Sequence, residues 1–400
     1  MAERKIDELI KTVYEALNYA KSNPSEKAYM LDGINEAVKA VFAGPETGGF
    51  PPPPTVRSVD DDFSELEEWL NAVAGKTAKS ERKPLPVDIY FGDDFIRLFG
   101  RIKGMSEGGI CAHILQKFDL LPDKYRKTLE SYFNEYPFWG TLNIRGKDYG
   151  VFKNRAAQLY NRADGFVRLY KRLADYRSRF VLRAFVENWL NFDFDGLEKA
   201  KETVFSDYFD PDIMKCGFDE VLVDLGAYVG DTVQDYVRTY GRRYKKIYCY
   251  EISPKTVGKL KKNLEDYPDV EIRQKGVGEK KGVMYMKANP AHDSANVLSA
   301  NAENASAEVE VAALDEDITE PVTFIKMDVE GAEQAAVRGC RKHIANDKPK
   351  LAISLYHNNE DITEIPRMVD EICPGYDFYL RYHGDGISPT ELTLLAVYKR

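Results

Sequence analysis

Residues 221–232 read VLVDLGAYVGDT: an apolar run reaches Asp224 and opens into Gly226 and Gly230, and a helix starts near Asp231. Glycine lets the backbone turn sharply and lets a ligand approach without meeting a Cβ atom. In an open α/β sheet such a turn lies at the carboxyl edge of the strands, where ligands bind. Turns that cradle phosphates read GxGxxG or GxxxxGK[ST], and neither is present here. The spacing Asp-x-Gly-x-x-x-Gly, with Asp224 and Asp231 adding negative charge, suits a ligand bearing a carboxylate and an ammonium. A turn needed only for helix packing would look the same locally, so the neighbouring segments have to decide.

Working outward, short β-rich runs alternate with helical stretches beyond about residue 218, the pattern of a doubly wound α/β sheet. The expected strands are 221–225, 246–251, 270–275, 322–328, 350–356, 376–382 and 393–399, with helices after the first, second, fourth and fifth. HGDGISPTEL leaves no room for a helix between the last two strands, so these should pair antiparallel.

The second strand, KIYCYEIS, ends in Glu251 and Ile252, and a carboxylate at that strand tip can accept both hydroxyl hydrogens of a ribose. In VEIRQKGVGEKKGVMYM a strand is followed by a glycine turn and an expected hairpin. Gly276 and Val277 fall where a flat base can lie against the sheet edge, although an ordinary turn reads equally well. FIKMDVEGAEQAAVRG delivers Asp328, Glu330 and Glu333 to the same edge. Clustered carboxylates repel unless cations or donors compensate. Helix capping accounts for Glu330 and Glu333 but leaves Asp328 unexplained.

In this order DLGAYVGDT, CYEIS, IKMDVEGAE, SLYH and LLAVYK resemble the FkbM family of S-adenosylmethionine-dependent methyltransferases over about residues 205–400. The resemblance implies a Rossmann-like class I fold, a mostly parallel sheet ending in an antiparallel hairpin, S-adenosylmethionine as cofactor, and O-methylation of sugars, polyketides or related small molecules. It also implies that Asp224, Gly226 and Gly230 hold the amino-acid end of the cofactor, Glu251 the ribose, and Asp328 the floor beneath the methyl group. Tyr228 departs from the asparagine that many members resemble there. Tyr228, Asp231, Ile252, Gly276 and Val277 complete the expected cofactor set.

A hydroxyl acceptor gains from a base as the new bond forms. His357 and His383, each expected just past a strand end, are the candidates for that base, with Asp328 beside the reacting groups. His292 is assigned to substrate contact and His343 to structure. A divalent metal on Asp328, Glu330 and His357 suits the ligand types but is not expected. Residues 288–306 are the expected substrate lid. A cofactor-binding assembly module without catalysis is the alternative reading, and a nicotinamide oxidoreductase is disfavoured by the missing GxGxxG.

The first half, residues 1–204, reads as mainly helical, with sub-boundaries near 50 and 80. Ile6, Leu9, Ile10, Val13 and Leu17 share a helical face, and a second helix is expected over 28–43. GGFPPPPT forms a spacer, and Phe63, Leu66, Leu70 and Val73 face inward from a further helix. VDIYF suggests a strand, followed by a helix over about 108–135 and helices over 152–202. Among 400 residues, 44% are hydrophobic and the net charge is −9, so the chain should fold, and it offers little to a phosphate backbone. Nucleic acid and membrane partners are not expected, and the oligomeric state is not legible. The absence of a signal segment and of paired cysteine motifs leads us to expect a cytoplasmic protein with reduced thiols.

Overall fold

The computed structural model describes residues 88–287 and 296–399, together with Val13. The chain divides into two compact units, Met1–Pro86 and Val87–Arg400, and the second holds the elements that follow. Apart from Val13, the helices and proline-rich spacer expected before residue 85 lie outside the described residues, as does His292.

Phe95, Leu98, Phe99 and Ile102 are buried at three-and-four spacing along α1 (Asp88–Lys103). Residues 88–91 of VDIYF therefore open a helix and not the expected strand: so short an apolar run has no decisive period. The helix expected over 108–135 is two, α2 (Glu107–Asp119) and α3 (Asp123–Glu135). Pro122, between them, has no N–H to continue the helical ladder. Ser106 caps α2 by accepting the Gly109 N–H. A small hairpin, β1 (Leu142–Asn143) with β2 (Asp148–Tyr149), leads into α4 (Gly150–Asn161), α5 (Ala163–Arg172), α6 (Tyr176–Asn191) and α7 (Phe194–Ala200).

The main sheet has seven strands: β3 (Val221–Leu225), β4 (Lys246–Tyr250), β5 (Val270–Arg273), β10 (Phe324–Met327), β11 (Lys350–Ser354), β12 (Tyr376–Tyr382) and β13 (Leu392–Tyr398). Their order is β12-β13-β11-β10-β3-β4-β5, parallel except for β13, which runs antiparallel to both neighbours. Each of the expected strands is present, and the closing pair is antiparallel. The helices between them are α8 (Asp231–Tyr240), α9 (Pro254–Asn263), α11 (Glu333–Gly339) with α12 (Arg341–Asn346), and α13 (Asp361–Ile372), while the short α10 (Leu314–Asp317) precedes β10.

The expected hairpin after β5 is instead part of a second sheet. It contains β6 (Gly276–Val277), β7 (Gly282–Lys287), β8 (Val297–Ser299) and β9 (Ala307–Ala312) in the order β6-β9-β7-β8. Gly276 and Val277 pair in parallel with Val311 and Ala312, so β7 folds onto β9 and β8 rather than back onto β6.

Alternate residues of the main sheet serve two cores. Val223, Ile325 and Leu380 join Phe99, Phe166 and Phe185 of the helical segment. Leu222, Phe324 and Leu395 join Val233 and Leu260 of α8 and α9. Burial on both faces explains why these strands read as nearly continuous apolar runs. The helical segment also bonds to the outer strand: the Ala174 N–H donates to the Phe378 carbonyl (2.8 Å) and the Glu202 N–H to the Tyr382 carbonyl (2.6 Å). Ser178 Oγ accepts the Leu380 N–H at 2.8 Å. The change of sequence texture near residue 205 thus falls inside one compact unit.

Candidate active site

The carboxyl ends of the parallel strands open into a cavity of about 710 Å³. The Gly226 turn forms part of its wall. The Gly226 and Ala227 N–H groups donate to the Tyr250 carbonyl at 3.1 and 2.9 Å, stitching the turn to β4. Gly226 has φ +82°, and a Cβ placed on it would lie 1.8 Å from the Asp328 carbonyl oxygen, so both the conformation and the space require glycine. Tyr228 adopts φ +42° without being glycine, and a non-glycine residue held in that region marks a constrained turn.

Tyr228, Asp231, Glu251, Ile252, Gly276 and Val277 line the cavity together with Gly226. Glu251 accepts the Ser253 N–H at 2.8 Å through Oε1. Burial raises its pKa above the ordinary carboxylate value, and the Ser253 N–H partly opposes that rise. Asn296 and Leu298 of the expected lid also line the cavity; residues 288–295 are outside the described set.

Asp224 and Gly230 are not among the lining residues. Asp224 is fully buried one step back in β3, with Lys326 Nζ 3.0 Å from its Oδ1. The ammonium's hydrogen bond goes to the Gly226 carbonyl, at 2.7 Å. Burial works against the charge on Lys326, but Asp224 and Asp328 more than offset it and hold its pKa above the usual value. Asp224 thus supports the turn from beneath. Gly230, at φ +91°, sits against Leu260 and Leu264, where a side chain would collide with the core.

Next to the turn the cavity also holds a cluster of ionisable groups around Asp328. Tyr208 donates its hydroxyl to Asp328 Oδ2 at 2.8 Å. His357 is 2% exposed; its Nδ1 lies 2.8 Å from Glu333 Oε1, and its Nε2 lies 3.5 Å from Asp328 Oδ1 and 3.3 Å from Glu330 Oε2. Burial alone would lower the pKa of His357, but Glu333, Glu330 and Asp328 raise it to about 10. An imidazolium has no lone pair for a proton, so His357 in this state does not fit the role of base. Burial lifts the carboxyls of Glu330 and Glu391, both lining the cavity, to about 7.

His383 lies in a different setting. Its Nδ1 is 3.5 Å from Asp207 Oδ1, and both ring nitrogens are buried without a hydrogen-bond partner. Burial lowers its pKa below the ordinary histidine value despite Asp207, which keeps the ring neutral. His343 lies away from the cavity within α12, with Nδ1 2.7 Å from Asp347 Oδ2 and Nε2 3.2 Å from the Ile318 carbonyl.

The sequence reading missed Lys326, Tyr208, Asp207 and Glu391. A lysine inside the apolar run FIKM was the one available signal, because a buried ammonium demands a partner. Also missed was an aromatic wall from the helical segment: Tyr132, Tyr136, Phe138 and Trp139 line the cavity. The Trp139 Nε1–H donates to the Tyr356 carbonyl at 2.6 Å, and the Tyr132 ring stacks on the indole with centroids 5.9 Å apart.

Comparison with known proteins agrees with this architecture. A methyltransferase FkbM from Methylobacillus flagellatus is similar over 68% of this chain and 70% of its own, with 23% identity and a TM-score of 0.51, which establishes a shared fold. An rRNA methylase from Streptococcus thermophilus (16% identity, 46% of this chain, 89% of its own, TM-score 0.31) is too distant to bear on activity. The same holds for fibrillarin from Aeropyrum pernix (14% identity, 46% of this chain, 67% of its own, TM-score 0.30). No curated protein matches the chain. No helix among the described residues is long and apolar enough to cross a membrane. The family model for the methyltransferase FkbM domain matches residues 224–383, the span from Asp224 to His383 that builds most of this cavity. Residues 224–383 are thus similar to the methyltransferase FkbM domain in sequence, and the fold of the Methylobacillus flagellatus protein agrees.

Proposed function

We propose that this protein transfers a methyl group from S-adenosylmethionine to a hydroxyl oxygen of a small molecule. The supporting observation is that one cavity is lined by the Gly226 turn, Glu251, Asp328 and the Asp207–His383 pair. The residues present fit the cofactor. Gly226 and Gly276 carry no side chain at the cavity wall, and a Cβ on Gly276 would meet Leu298 at 2.6 Å. Glu251 engages Ser253 through Oε1, and its second oxygen suits ribose hydroxyls.

When bound, S-adenosylmethionine supplies an electrophilic methyl carbon on a sulfonium. The protein's own task is to hold the acceptor oxygen in line with that carbon, about 3 Å away, in a site shielded from water. Asp328, fixed by Tyr208, would supply negative charge to a bound sulfonium. His383, whose neutral ring lines the cavity beside Asp207, would take the hydroxyl proton of the acceptor as its oxygen bonds the methyl carbon and the sulfonium releases it. Asp207, Asp328, Glu330 and Glu391 all line the cavity, a charge pattern that favours a neutral or cationic small acceptor over nucleic acid.

The test is incubation of the full chain with methyl-labelled S-adenosylmethionine and a panel of hydroxylated metabolites, followed by identification of the labelled product. Label in an ether-linked methyl group supports the reading. Label on nitrogen or carbon, or no transfer to any acceptor, overturns it.

A further inference from the structure

Arg381 lies in β12, 5% exposed and two positions before His383. A guanidinium so deeply buried needs partners for its donors. Its Nε donates to Asp210 Oδ2 and its Nη2 to Asp175 Oδ2, both at 2.9 Å. Nη1 donates to the Leu380 carbonyl at 2.9 Å and to Ser178 Oγ at 3.2 Å. Asp175 also caps α6, where its Oδ1 accepts the Ser178 N–H at 2.7 Å, so the guanidinium is anchored to a helix end. One planar fork thus joins β12, the start of α6 and the segment that carries Asp210.

That segment supplies two residues of the cavity wall. Asp207 Oδ1 lies 3.5 Å from His383 Nδ1, Tyr208 bonds to Asp328, and Phe209 is buried in the core. Upstream, Glu202 Oε1 accepts the N–H groups of Thr203 and Val204 at 2.8 and 2.6 Å, while Arg177 of α6 pairs with its Oε2 at 2.6 Å. An arginine–carboxylate pair therefore clamps the segment on each side of Asp207. Asp207 needs the restraint, because its side chain is half-exposed and stands among like charges. Burial raises its pKa, as do Asp328, Asp235 and Asp231, with His383 opposing them. Without the clamp, repulsion would favour turning its carboxylate out to water.

We propose that Arg381 is a positioning residue: anchored by Asp175 and Ser178, it grips Asp210 and so sets Asp207 beside His383. The helical segment then serves the cavity from a distance, through the start of α6. In methyl transfer this would keep the proton acceptor aligned with the acceptor hydroxyl, and a misplacement of about 1 Å at such a group can cost 10²-fold in rate. That catalytic consequence rests on the methyltransferase reading, whereas the coupling of Arg381 to His383 through Asp207 does not.

The test is the titration of His383 in the full chain, followed through imidazole C–H signals in nuclear magnetic resonance without donor or acceptor. His383 is identified as the signal that His383→Gln lacks. Burial lowers its pKa; of the charged groups around it, Asp207 and Glu202 raise it and Arg177 lowers it. Arg381→Lys keeps the positive charge but cannot hold Asp210 and Asp175 at once as the fork does. The histidine pKa should then lie about 0.5 lower, the worth of a charge pair lost at a half-exposed site. Asp207→Asn should lower it as well, and the double variant should lie no lower than Asp207→Asn alone. Should Arg381→Lys fail to fold, Asp175→Asn, which can still cap α6, must lower the pKa by itself and leave it unchanged in the Asp207→Asn background. An unshifted His383, or a shift that adds to that of Asp207→Asn, overturns the proposal. With an acceptor present, Arg381→Lys should lower kcat about 10- to 100-fold and retain S-adenosylmethionine affinity. The expected titrations without methyl transfer to any hydroxyl would leave the positioning role standing and remove the methyltransferase reading.

Discussion

Lys326 and Asp224 face each other at paired register positions on adjacent parallel strands, ammonium to carboxylate at 3.0 Å, with both side chains essentially sealed from solvent. The pair ties β10 to β3 directly beneath the Gly226 turn. Removing one partner leaves a buried charge with no compensation, which costs about 3–5 kcal/mol. We expect Lys326→Met to lower stability by that order in urea unfolding. Adding Asp224→Leu should restore much of the loss, because two apolar groups need no partner. A double variant no more stable than the single one would contradict this account.

Gly226→Ala should be more damaging than its size suggests. The added methyl would stand 1.8 Å from the Asp328 carbonyl, and alanine disfavours φ +82°. A destabilisation of roughly 2–4 kcal/mol is expected, together with loss of S-adenosylmethionine binding. Chemical denaturation and titration calorimetry read the two effects separately.

Glu251→Ala should act on the ligand and spare the fold. Loss of hydrogen bonds from a charged acceptor corresponds to about a 10- to 100-fold weaker cofactor affinity. Calorimetry with S-adenosylmethionine checks the first part and an unchanged thermal midpoint the second.

His383→Ala should reduce turnover by about 10²–10⁴-fold with little change in cofactor affinity. A base works only when unprotonated, so the rate should be flat above the His383 pKa and fall as pH drops through it. Burial holds that pKa below the ordinary histidine value, which places the falling limb on the acid side of it. Asp207 raises the histidine pKa, so Asp207→Asn should move the limb to still lower pH while also slowing the reaction. A profile that does not shift in Asp207→Asn would separate Asp207 from His383.

Trp139→Phe removes the bond from the indole to the Tyr356 carbonyl while keeping an aromatic ring in the wall. The expected change is a higher KM for the acceptor with cofactor affinity retained. Steady-state kinetics with each substrate varied in turn will show it.

Much of this arrangement was legible from local sequence. Strands buried on both faces announce themselves as apolar runs, and the short turn-rich link before residue 392 required the last pair to be antiparallel. Gly226, Glu251 and Asp328 were readable because strand tips in such sheets converge on one edge. Asp224 was misplaced because alternation decides which residue of a strand end meets the cavity, and a one-residue step moves a side chain from cavity to core. Tyr208, Asp207 and Glu391 lay in loops with no periodic signal, and they enter the site only through tertiary packing. The same limit hid Tyr132 and Trp139, whose partners lie more than two hundred residues away in the case of Trp139 and Tyr356.

The backbone bonds that Ala174 and Glu202 give to Phe378 and Tyr382 have a consequence for how this enzyme can be divided. Cutting the chain at residue 204 would strip β12, a seven-residue ribbon of tyrosines, phenylalanine and leucine, of its natural cover. A naked ribbon of that kind recruits other ribbons. The fragment 205–400, made by itself, should clump into inclusion bodies, and the helices between residues 150 and 200 are best understood as the sheath that keeps the outer strand from other sheets.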